Sequence, residues 1–94
     1  MASLSSIGSS GLQAAQLRLD ASANNVANAN TPGYRRLSVA QQAVADSAGV
    51  RATVEREANE KGVALEQEAV EQMSATYAFK ASLQTIKTQD QMLG

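Results

Sequence analysis

The chain has 94 residues, a net charge of −1, no cysteine, no histidine, and one Phe, two Tyr and no Trp. That leaves room for a single domain over residues 1–94 with a thin core, and it removes disulfides, thiolate chemistry and the commonest general bases and zinc ligands. It also removes any general attraction to nucleic acid or anionic membrane, and no run is long or apolar enough to span a bilayer.

The first predicted element is a helix over residues 4–29, about 40 Å long at 1.5 Å per residue. Leu12, Leu19 and Val26 recur every seven residues, and Met1, Gly8, Ala15, Ser22 and Ala29 form a companion row of mostly small side chains. One large and one small row at this spacing read as a coiled-coil seam, the small row letting a second backbone come close. Gly8 and Gly11 each cost about 1 kcal/mol of helix propensity, so the first turns are expected to fray in isolation.

Asn30-Thr31-Pro32-Gly33 stops this helix. The residue before a proline is driven out of the helical region, and Pro-Gly fits the centre of a type II turn. A turn is therefore expected over 30–34, from Asn30 through Thr31, Pro32 and Gly33 to Tyr34. Residues 35–62 read as an extended or irregular linker. Leu37, Val39 and Gln41 alternate, as do Val50, Ala52 and Val54, and Gly49 lies between them. Two short strands joined by a turn fit best. A frayed helix through Val39–Ala48 is the alternative, since Ala and Gln are good helix formers.

Gly62 breaks the chain again, and a second long helix is expected over 63–93. Leu65, Phe79, Ile86 and Leu93 hold one seven-residue row, broken at Gln72, with Val63, Val70 and Tyr77 beside it. Glu66, Glu68 and Glu71 lie near its start, where the helix dipole favours negative charge. The fold class is mainly α: two long terminal helices folded back as an antiparallel hairpin, with a short extended or β-hairpin segment between them.

Charge is uneven along the chain. Up to Tyr34 only Arg18 and Asp20 are charged, and from Gln72 only Lys80, Lys87 and Asp90. A soluble helix normally shows a charged face. Small uncharged surfaces suit faces that are buried later without stranding charge. The carboxylates Glu55, Glu57 and Glu60 sit among Arg56, Asn59 and Lys61 and read as a solvated segment, so no catalytic, cofactor or metal site is expected.

The most specific string is NNVANANTPGYRR, residues 24–36. Asn24 and Asn28 lie one turn apart, and a seam amide fixes register at a cost in stability. This string resembles the N-terminal signature of the bacterial flagellar axial proteins, the rod, hook and hook-associated family. Residues 85–93, TIKTQDQML, resemble the C-terminal signature of the same family, and LEQEAVEQM, residues 65–73, resembles the start of its C-terminal helix. The family's usual Tyr and Asn in that last helix stand here as Phe79 and Ser82, and only about thirty residues separate the signatures where hook and distal-rod proteins carry large β-rich domains.

The resemblance implies paired terminal helices that line the inner tube of rod and hook. It implies export through the flagellar type III channel without a cleaved signal peptide, and a place in the basal body after a cytoplasmic stage. It implies a role in motility as a structural subunit. The implied partners are the chain itself, other rod and hook proteins and the export apparatus, with no nucleic acid and no membrane insertion. The expected assembly interface is Leu12, Leu19, Asn24, Asn25, Val26, Asn28, Asn30, Val70, Met73, Tyr77, Phe79, Leu83 and Ile86, helped by Leu4 and Ile7. The alternative is a soluble adaptor or export accessory that binds axial subunits without polymerising.

Overall fold

A computed structural model describes residues 4–44, 49–58 and 62–93. The elements run α1 (Leu4–Ala27), β1 (Leu37–Ala43), β2 (Val50–Arg56) and α2 (Leu65–Leu93). At 1.5 Å per residue the helices are about 36 Å and about 43 Å long. The molecule is an elongated slab of 52 × 24 × 13 Å.

The helices pack antiparallel. Gly8 lies against Ile86, Gly11 against Ser82, Arg18 against Glu71 and Ser74, and Ser22 against Glu68 and Gln72. Each turn forward on α1 thus meets a turn further back on α2. The contact is made by the small row: Gly8, Ala15 and Ser22 are buried on α1, and Ala75 is buried on α2. A Cβ placed on Gly8 would stand 2.7 Å from Cγ1 of Ile86 and 3.1 Å from the backbone oxygen of Ser82. Gly11 faces the Ser82 hydroxyl even more closely. The glycines that weaken the helix locally are therefore what lets the two backbones approach.

Helix α1 ends at Ala27, two residues before the expected limit, and residues 28–30 continue as turns. The N–H of Ala29 still bonds the carbonyl of Val26, and that of Thr31 bonds Asn28, so the end tightens before it opens. The Pro-Gly turn forms as expected. Gly33 has φ of 72°, and the Tyr34 N–H reaches the Thr31 carbonyl at 3.3 Å. Helix α2 starts at Leu65, after Gly62 with φ of 85°.

The linker is a β-hairpin. Strands β1 and β2 pair antiparallel from Leu37 opposite Arg56 to Ala43 opposite Val50. Residues 39–43 are strand, not helix, and residues 45–48 of the helical alternative lie outside the described residues, as do Met1 of the small row and Glu60. The hairpin lies on α1, whose Ala14 and Ala21 are also buried, and α2 packs against α1 but not against the strands. Its base is held by Asn25 at Leu37, and its far end by Ser10, whose hydroxyl accepts the Val50 N–H at 3.1 Å. Seven strand residues span about 23 Å, matching the fifteen helical residues from Ser10 to Asn25, also about 23 Å.

Candidate assembly interface

Two surfaces bear on how this chain works: the polar joint that fixes its elements, and the apolar side chains left outside.

The joint centres on Asn25, which is fully buried. Its amide nitrogen donates to the Leu37 carbonyl at 2.8 Å and to Glu68 Oε1 at 3.2 Å. Its oxygen accepts the Leu37 N–H at 2.8 Å and the Tyr34 hydroxyl at 2.9 Å. The Asn25 side chain thus pairs with both backbone groups of Leu37, as a neighbouring strand would, while it also reaches α2. One residue joins α1, the turn, β1 and α2.

Glu68 completes the joint. It is fully buried and bonds Arg36 Nε through Oε2. Arg36 also reaches Glu57 at 3.1 Å, just beyond β2. Burial works against the Arg36 charge, but the hydrogen bonds and charges of Glu68 and then Glu57 outweigh it and raise the pKa above its ordinary value. Ser22 donates to the Glu68 backbone carbonyl at 3.3 Å and accepts from Gln72 at 3.1 Å. Further along the seam, Arg18 pairs with Glu71 at 2.6 Å and donates to Ser74 at 2.9 Å. Around the turn, Arg56 stacks over the Tyr34 ring at 5.4 Å and donates to the Arg35 carbonyl at 2.7 Å.

Of the four asparagines singled out by sequence, only Asn25 lies in the helix seam. Asn24 and Asn28 shape the helix end instead. Asn28 Nδ2 donates to the Asn24 carbonyl at 2.9 Å, Thr31 donates to Asn28 Oδ1 at 3.1 Å, and Asn24 donates to Tyr34 at 3.2 Å. Asn30 is exposed. Arg36, Glu68, Ser22 and Gln72 were not among the sequence candidates. Their partners lie 21 to 50 residues away, beyond the reach of any local pattern.

The apolar candidates divide by depth. Leu12, Leu19, Phe79 and Ile86 are half-buried, and Ile86 packs over Gly8. Val26 is 41% exposed, Leu83 43%, Val70 65%, Met73 71% and Tyr77 80%. The buried apolar side chains among the described residues are Ala14, Ala15, Ala21 and Ala75. The fully buried part of the helix pair is thus made by small apolar residues, while the larger ones are half-buried or exposed.

Residues 6–35 match the model of the flagella basal body rod protein family. Over this segment the chain is similar to the flagellar rod family. The match covers α1 from Ser6 and the whole Pro-Gly turn, including Asn25 and Tyr34, and the strands and α2 lie outside it. No curated protein matches the chain significantly. The family is one of structural basal-body components, not of enzymes. No described helix is long and apolar enough to cross a membrane.

Proposed function

We propose that this chain is a structural subunit of the bacterial flagellar rod or hook–basal body, built in through its two terminal helices. The observation that carries this reading is the placement of its apolar side chains. The helix pair buries mostly alanine, glycine and serine and leaves Val26 on α1 and Val70, Met73 and Tyr77 on α2 outside. Such side chains gain about 25 cal/mol per Å² when a neighbour covers them. The outer surface of α1 carries few charges, with Asp20 exposed, so a neighbour covers it with little desolvation of charge. The partners are copies of the chain and other rod and hook proteins. Delivery is by the flagellar export apparatus, and the final location is the basal body.

Quantitative mass spectrometry on purified hook–basal bodies, compared with cytoplasm, tests this. Several copies per particle are expected. Retention in the cytoplasm, or fewer than one copy per particle, would replace the reading with a soluble adaptor that binds axial subunits without polymerising.

A further inference from the structure

The outer face of α2 carries a seven-residue repeat of its own. Glu66, Met73 and Lys80 fall on one line, with Ala69, Val70, Thr76 and Tyr77 between them, and all seven are exposed. They lie opposite the buried Glu68 and Ala75 that face α1. Met73, Thr76, Tyr77 and Lys80 line a shallow groove that starts at Ala69. Neither Glu66 nor Lys80 belongs to an ion pair among the described residues.

We propose that a second copy of this chain docks on this face, α2 against α2 and antiparallel, with a two-fold axis at Met73. In that register the face is complementary to itself. Glu66 meets Lys80 of the partner subunit at both ends, whereas a parallel pairing sets Glu66 against Glu66 and Lys80 against Lys80. Side-chain size complements as well. Tyr77 lies opposite Ala69, Val70 opposite Thr76, and Leu65 opposite Ala81. Met73 meets its own copy on the axis, where an unbranched, flexible side chain packs readily. A two-fold contact uses the same patch twice and closes on itself, so it yields a dimer and not a fibre. The dimer is a property of the free chain and goes beyond the rod reading without resting on it.

Sedimentation equilibrium on the purified full chain, up to about 1 mM, tests the pairing. The mass should rise from 9.8 kDa toward twice that value. Glu66→Lys or Lys80→Glu alone turns two attractions into two repulsions and should weaken the dimer about tenfold. The double swap should restore it to within about twofold. The chain has no cysteine, so Met73→Cys offers a single thiol at the axis. Mild oxidation should give a disulfide-linked dimer. Lys80→Cys should not, because its two copies lie about 14 residues of helix rise, or about 21 Å, apart along the paired helices. A monomer at every concentration, whatever its fold, would overturn the proposal. So would single charge reversals without effect, or Lys80→Cys linking as readily as Met73→Cys. None of these results bears on copy number in basal bodies, so the two readings fail separately.

Discussion

Asn25 and Arg36 do the work of a core that the chain has no large side chains to build. Replacing Asn25 by Ala removes four hydrogen bonds and leaves both backbone groups of Leu37 without their partner. Groups left unsatisfied on burial cost about 1–3 kcal/mol each, and water reaches Leu37 in part, so a loss of about 3 kcal/mol is expected. Asn25→Asp should be worse, because it sets a carboxylate against the Leu37 carbonyl and the Glu68 carboxylate. Urea unfolding of the two variants reads this as an ordered drop in midpoint. Arg36→Met leaves Glu68 buried without its cation and should cost about 3–5 kcal/mol. Adding Glu68→Leu to it should recover much of that loss, and a double variant no better than the single would refute the pairing. The stability that Arg36 supplies is fully present below its ordinary pKa and is lost only as pH rises through the raised one, so Arg36 adds no slope near neutral pH.

At the scale of elements, the two helices approach through glycine and alanine, and this sets a test that propensity alone would get wrong. Gly8→Ala should gain about 1 kcal/mol if α1 were free. In the hairpin its Cβ meets Ile86 and the Ser82 backbone, and overpacking of this kind costs about 1–3 kcal/mol. A net loss in thermal stability is expected, while Ser9→Ala, on the exposed side of α1, should show none. The helices and the turn between them were legible in the sequence because their signals are local: the seven-residue rows, and Pro32-Gly33 fixing where α1 must end. The hairpin was less so. Ala40, Gln41, Gln42 and Ala43 suit a helix as well as a strand, and what holds them extended is the grip of Asn25 on Leu37 and of Ser10 on Val50, each from another element. The joint was half legible. Asn25 stood out within an asparagine-rich string, but Arg36 and Glu68, read singly, look like ordinary surface charges, and only the fold brings them together across 32 residues.

The whole molecule is a slab 13 Å thick at its narrowest, and a slab this thin cannot hide large side chains. Its faces are where neighbours must supply the missing burial, and α1 offers a clean way to separate folding from assembly. Val26 is 41% exposed, within the segment that matches the rod family, so Val26→Asp should leave helicity and the unfolding midpoint nearly unchanged. Leu19 is half-buried beside the small row, so Leu19→Asp should lower stability as well. If α1 is an assembly surface, both variants should be expressed yet missing from purified hook–basal bodies, as read by immunoblot against whole cells. The informative variant is Val26→Asp, because its absence from the particle could not be blamed on misfolding. Incorporation of Val26→Asp at the normal level would show that this part of α1 faces solvent in the assembled structure.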